Sequence, residues 1–293
     1  MNQPAPWDIV TGVGLTALAV AAGRAIETRR PEALVIDPYA EAFVHAAQPP
    51  RPLPTGLDAT VDFGVLWASM STYMGVRSRF FDEFFAGASA AGLEQLVLLA
   101  AGLDTRAFRL NWPSGTTLYE LDAPKVLEFK DRVLTEQRAR ARCRRRTVAV
   151  DLRADWSTAL QQAGFEARRP TAWLAEGLLP FLPDKAKESL FGRMHELSAA
   201  GSQIAVEHLD GDIATLLRDP IFHLAAERYG IDLAELWPAD QHFDAGQWLA
   251  DHGWAVTTTR AVDVAQQYRR PLEDTVPPPM RASLLIIARR PVP

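Results

Sequence analysis

The stretch LVLLAAGLDTRAFRL, Leu96 to Leu110, changes character at one glycine. Its first half is an unbroken apolar run of strand length, as expected for a β-strand buried on both faces, and its second half is charged. Gly102 marks the corner. Working outward, four more runs of this kind follow: TTLYELD (116–122), RTVAVDL (146–152), PTAWLAEG (170–177) and SQIAVEH (202–208), with QLVLLAAG (95–102) as the first. Helical stretches such as APKVLEFKDRVLTEQRARA (123–141) and DKAKESLFGRMHELSAAG (184–201) lie between them. Strand and helix alternating in this way predict an α/β fold with a mostly parallel sheet and right-handed crossovers. Ligands of such sheets bind beyond the carboxyl ends of the strands.

Ahead of the first strand, about 90 residues read as helical. Residues 11–30 form one helix capped at or near Thr11, and Asp37-Pro38 starts another. The proline-rich QPPRPLPTG (48–56) suits a hinge, and residues 65–92 carry apolar side chains at helical spacing. After the fifth strand, residues 209–245 read as a helical insertion, and GWAVTTTRAVD and SLLIIARRP as an antiparallel edge hairpin. The expected organisation is a single domain, 1–293: a helical N-terminal layer or lid (1–92), a ligand-binding core (93–208), a helical insertion capping the substrate (209–245) and C-terminal strands (246–293).

Composition bounds the partners. With 48% hydrophobic and 23% charged residues the chain has the make-up of a soluble globular protein, and a net charge of -5 disfavours nucleic acid. The basic run RARARCRRR (138–146), between a helix and the next strand, reads as a solvated surface. The single cysteine, Cys143, permits no internal disulfide and no cysteine zinc site, which suits a reducing cytoplasm, and it is not expected to be a nucleophile. GVGLTALAVAAG (12–23) is too short for a membrane span and follows an acid, so it reads as an amphipathic helix. No membrane association is expected.

The corner residues carry the chemistry. Strand one is followed by Gly102-Leu103-Asp104-Thr105-Arg106, strand two by Asp122, strand three by Asp151, strand four by Glu176, and strand five by Glu207 and His208. A glycine corner with an acid twenty residues later resembles a nucleotide site, where backbone approaches the ligand and the acid accepts from ribose hydroxyls. A dinucleotide site would read G-x-G-x-x-G; this corner reads Ala100-Ala101-Gly102-Leu103-Asp104-Thr105. A cationic or zwitterionic ligand fits better than a phosphorylated one. S-adenosyl-L-methionine has that chemistry: Asp122 suits its ribose, Asp151 and Leu152 its adenine, and Arg77 its carboxylate. Plainer roles compete: Asp122 as a helix cap, Asp104 as a partner of Arg106, Glu176 as a loop acid, and Arg77 paired with Asp82 or Glu83 on its own helix.

Taken together, VGLTALAVAAGRAIET, DPYAEAFV, LVLLAAGLDTRAFRL, YELDAPKVLEFK, VDLRADW, PTAWLAEGLLPFLP and the final ARRP resemble the bacterial leucine carboxyl methyltransferase-like family of class I S-adenosylmethionine-dependent O-methyltransferases. The resemblance runs in order over nearly the whole chain. It implies a Rossmann-like methyltransferase fold. It also implies a donor site in which Arg77 holds the methionyl carboxylate, Gly102 the turn, Asp122 the ribose, Asp151 and Leu152 the adenine, and Glu176 the methionyl amino group; Arg24 stands where the family has a basic residue. Ala100 departs from the family's glycine.

Methyl transfer is an in-line displacement, so the enzyme aligns the groups and excludes water. An ionised carboxylate needs no base, whereas a phenol profits from one. His208 is the candidate base, against a locally satisfied histidine. Trp67, Tyr73, Tyr229 and His242 are candidates to line the acceptor pocket, against plain packing. The expected reaction is methyl-ester formation on a small molecule such as a polyketide-like acid, with a phenolic hydroxyl or a non-catalytic binding role as alternatives. No metal is expected.

Overall fold

The computed structural model describes residues 8–57, 64–210, 217–218, 220–238 and 241–292. Seven strands form one sheet in the order β3-β2-β1-β4-β5-β7-β6. They are β1 (Gln95–Leu99), β2 (Thr117–Asp122), β3 (Arg144–Ala149), β4 (Thr171–Ala175), β5 (Gln203–Leu209), β6 (Ala255–Arg260) and β7 (Ser283–Arg289). The first five are mutually parallel, and β7 lies antiparallel between β5 and β6. The mostly parallel α/β sheet predicted from the strand rhythm is therefore present. Its C-terminal pair is not joined by a tight turn, because residues 261–282 include two short helices, Ala261–Gln267 and Pro278–Arg281.

Register brings the carboxyl ends level. Leu99 pairs with Leu121 on one side and Ala175 on the other, Asp122 pairs with Ala149, and Ala175 with Val206. The segments that follow β1 to β5 thus emerge along one edge. The strand order reverses between β1 and β4, which opens the crevice where ligands of such sheets bind. β1 and β4 are buried throughout, as central strands covered on both faces must be.

Arg138, Arg140, Arg142 and Arg144 are exposed, as expected of the basic run, but its end departs from expectation. Arg144, Arg145 and Arg146 belong to β3, which starts two residues earlier than RTVAVDL and forms the sheet edge. Charged side chains on an edge strand discourage pairing with another chain. Arg145 turns inward, bonded at 2.8 Å to Glu120, which also takes Lys130 at 2.8 Å; both members of that second pair are fully buried. Cys143 is pushed up to about 12, chiefly by burial and then by Glu120, so its thiol is inert at neutral pH.

The N-terminal layer comprises α1 (Gly12–Thr28), α2 (Ala40–Ala47) and α3 (Gly64–Ala90). Thr11 occupies the cap position of α1 without a capping bond from its side chain. α1 and α3 pack closely because glycines face side chains: a Cβ on Gly23 would fall 2.9 Å from Met74, and one on Gly75 would fall 2.8 Å from Glu27. Glu27 is fully buried, accepts from Leu34 N at 2.7 Å and pairs with Arg30 at 3.0 Å. The proline-rich loop is tied to the insertion, since Arg51 donates to the carbonyls of Ala226, at 3.1 Å, and Glu227. No helix among the described residues is long and apolar enough to cross a membrane.

Gly75→Ala is expected to cost about 1–3 kcal/mol through overpacking against Glu27. Equilibrium denaturation reads this directly, and an unchanged midpoint would show that Glu27 can move aside.

Candidate active site

A cavity of about 590 Å³ opens at the carboxyl edge between the sheet and the N-terminal layer. Its floor is a lattice of buried charge. Arg77, from α3, places Nε 2.8 Å from Glu176 Oε1 and Nη1 3.0 Å from Glu207 Oε2. Arg106 reaches Asp82 at 2.7 Å, Glu176 at 2.8 Å and Asp104, while Arg109 takes both oxygens of Asp82. Four carboxylates thus face three guanidiniums. Burying a charge is costly unless it is paired, and this lattice pairs every member while leaving one negative charge in excess.

The couplings set the protonation states. Burial pushes the Glu176 carboxyl up, but Arg106 and Arg77 outweigh it and hold it below the usual range. Burial likewise opposes the charge on Arg77, and Glu207 with Glu176 more than restores it. Arg106 spends all three of its nitrogens on protein acceptors. Arg77 does not: Nη1 alone carries hydrogen bonds, to Glu207, while Nε meets Glu176 as an ion pair without hydrogen-bond geometry and Nη2 has no partner among the described residues.

The turn after β1 supplies the second half of the floor. Ala100 at φ 51 and Gly102 at φ 45 both adopt the left-handed region. A Cβ on Gly102 would meet nothing nearer than 3.8 Å, so the glycine leaves its backbone open beside the cavity. Asp122 braces this turn, accepting from Gly102 N at 2.6 Å and Ala123 N at 2.7 Å. A carboxylate has about four lone-pair sites, so two remain for a diol. Burial raises the Asp122 carboxyl above its ordinary value. Arg24 joins from α1, bonded at 2.9 Å to Asp37 and at 2.7 Å to Leu103 O.

Away from the floor the walls turn apolar. Met70, Met74 and Met280 line the cavity with Phe181, Trp237 and Leu233. Trp67 donates to the Tyr229 hydroxyl at 2.8 Å, edge-on with ring centroids 5.4 Å apart, and so joins α3 to the insertion helix Pro220–Tyr229.

The leucine carboxyl methyltransferase family model matches residues 17–195 of the chain. The chain belongs to the leucine carboxyl methyltransferase family. It is 50% identical over 291 residues to a protein of Saccharopolyspora erythraea, covering 99% of this chain and all of that one. It is also 50% identical over 272 residues to one of Rhodococcus jostii, covering 92% and 91%. Both carry the name "Putative S-adenosyl-L-methionine-dependent methyltransferase". Among solved structures, a DUF574 family protein from Streptomyces avermitilis shares the fold, with a TM-score of 0.53 and 16% identity, over 93% of this chain and 97% of that one.

In this leucine carboxyl methyltransferase relative, most residues singled out in the sequence meet at the cavity: Arg24, Arg77, Ala100, Gly102, Asp122, Asp151, Leu152 and Glu176, with Trp67, Tyr73 and Tyr229. Asp151 lies at the rim, half-exposed and paired with Arg153 at 2.6 Å, which holds its carboxyl below the usual range. Arg77 pairs with neither Asp82 nor Glu83, because both of its acids come from strand ends. Asp104 serves Arg106, accepting from its backbone N at 2.7 Å.

The two histidines lie elsewhere. Successive side chains on a strand point to opposite faces, so Glu207 enters the cavity and His208 faces a second pocket of about 180 Å³ with Lys187, Asp244 and His242. Burial lowers the His208 imidazole. Neither His208 nor His242 lines the cavity, so the structure does not bring the candidate base to the floor. Glu207, placed by the sequence at the end of strand five but given no role there, is the acid that enters the cavity, and strand alternation is the signal that separates it from His208. Among the described residues no group of three potential ligands could hold a metal ion.

Ala100→Gly should relieve a left-handed cost of about 1–2 kcal/mol against about 0.4–1 kcal/mol of added chain entropy, for a net gain of up to about 1.6 kcal/mol. A higher denaturation midpoint is expected, and a lower one would show that the Ala100 methyl contributes packing that outweighs the strain.

Proposed function

We propose that this S-adenosyl-L-methionine-dependent methyltransferase transfers a methyl group to an oxygen of a small, largely apolar acceptor, with a carboxylate as the first acceptor group and a natural-product acid as its source. The observation that carries this is the division of one cavity into a charged floor and an apolar wall. The floor suits the donor. Its excess carboxylate favours a cation, Arg77 Nη2 offers a donor to a carboxylate, Asp122 offers acceptors to a ribose diol, and Leu152 with Asp151 flanks the adenine. When bound, S-adenosyl-L-methionine supplies an electrophilic methyl group on a positively charged sulfur.

The wall suits the acceptor. The five arginines lining the cavity, Arg24, Arg77, Arg106, Arg109 and Arg153, are all ion-paired. An acceptor carboxylate therefore draws its affinity from its apolar body rather than from a guanidinium clamp. The N-terminal layer and the insertion, joined through Trp67 and Tyr229, act as the lid that keeps water from the transfer. The family's carboxyl chemistry supports the ester, and an ionised carboxylate needs no proton removed.

Two measurements test this. Apolar aromatic acids with labelled donor should give a base-labile methyl ester; a base-stable ether as sole product would overturn the carboxylate preference. Asp122→Asn should weaken donor binding about 10- to 100-fold, since hydrogen bonds to a charged acceptor are worth about 1.5–3 kcal/mol. Because burial raises the Asp122 carboxyl, wild-type affinity should decline on acidification before pH reaches the ordinary aspartate value of 3.8, and this decline should vanish in the Asn variant. Unchanged calorimetric affinity would remove Asp122 from the donor site.

A further inference from the structure

The α3 face that lines the cavity runs Trp67, Met70, Tyr73, Met74, Arg77, one helical turn at a time. It grades from apolar wall to charged floor. Tyr73 sits at the boundary, 1% exposed, where an acceptor with its body on the wall would place its reacting oxygen. The Tyr73 hydroxyl bonds to Glu207 Oε1 and lies 2.6 Å from Ser283 Oγ, which in turn lies 3.2 Å from Pro279 O. An ionised carboxylate only accepts, so the phenolic proton points at Glu207 and at least one lone pair on Oη remains. Glu207 Oε2 accepts from Gly177 N at 2.8 Å and from Arg77 Nη1 at 3.0 Å, and the same Nη1 reaches Oε1 at 3.2 Å. Gly177 stands at φ 65, a left-handed conformation in which its N–H reaches this carboxylate.

We infer that Tyr73 and Glu207 form a proton relay that lets the same cavity methylate a hydroxyl acceptor as well as a carboxylate. The inference rests on the methyltransferase assignment of the cavity and extends its acceptor range. As the acceptor oxygen forms its bond to the methyl carbon, the electron pair of the carbon–sulfur bond stays with sulfur. The acceptor's O–H proton passes to Tyr73 Oη, and the Tyr73 proton passes to Glu207 Oε1. One positive charge disappears from sulfur and one negative charge disappears from Glu207, so the net charge of the buried site is conserved. A carboxylate acceptor balances the same account by losing its own charge, and leaves the relay idle. Oε2 keeps its two partners throughout.

Matched acceptors test this: 1-naphthol and 1-naphthoate, with wild type, Tyr73→Phe and Glu207→Gln. Wild type should methylate both. Tyr73→Phe should lower kcat on 1-naphthol at least about 100-fold, the scale of general-base catalysis, and on 1-naphthoate less than about tenfold. The residual naphthol rate of Tyr73→Phe should climb with pH as the free naphthol ionises, whereas the wild-type rate stays level between pH 7 and 8.5. Donor affinity by calorimetry, measured without acceptor, should stay within about threefold in Tyr73→Phe. Glu207→Gln, which also perturbs Arg77, should weaken the donor and lose naphthol transfer. Equal losses on both acceptors, or an unaltered pH profile, would assign Tyr73 to packing alone. Ester formation without any naphthol transfer in wild type would overturn the relay and leave the carboxylate proposal standing; donor binding with transfer to neither acceptor would overturn both.

Discussion

Buried charge must be paired, and in this protein the pairing is distributed over elements far apart in sequence. Asp82 comes from α3, Asp104 and Arg106 from the turn after β1, Glu176 from the end of β4 and Glu207 from the end of β5. Removing any one of the three guanidiniums would deepen the excess of buried negative charge at a cost of several kcal/mol. The lattice therefore fixes how the N-terminal layer sits on the sheet. It also keeps one carboxylate more than it has guanidiniums, so the site remains electrostatically open to a cation.

The helical layer is held close enough for this by small residues. Gly23 and Gly75 bring α1 and α3 together around buried Glu27, and the approach places Arg24 and Arg77 on the same cavity. α3 then delivers apolar side chains, a phenol and a cation in successive turns. Helical periodicity alone generates the gradient from apolar wall to charged floor.

Much of this was legible in the chain. LVLLAAGLDTRAFRL announced a buried strand meeting a tight corner, and the acids at 122, 151 and 176 marked the level ends of its neighbours, because parallel strands with short connections expose their carboxyl termini along one edge. The register confirms that alignment. What periodicity could not show was direction across the sheet. Glu207 and His208 are adjacent in sequence but face different pockets, and chemical habit favoured the histidine where strand geometry selects the acid. The start of β3 was hidden for a related reason: three consecutive arginines show no apolar alternation, and the partners that seat them at the sheet edge, Glu120 and Asp131 for Arg145 and the Ala163 carbonyl for Arg146, lie elsewhere in the sequence.

Two acids hold the Arg77 guanidinium in place, and Nη2 is the nitrogen proposed to meet the donor's carboxylate. A crystal structure with S-adenosyl-L-homocysteine tests it most directly. The ligand's carboxylate is expected to bond Arg77 Nη2 while Nε and Nη1 keep Glu176 and Glu207. A ligand carboxylate bound to another cation, with Arg77 still closed on its two acids, would contradict it.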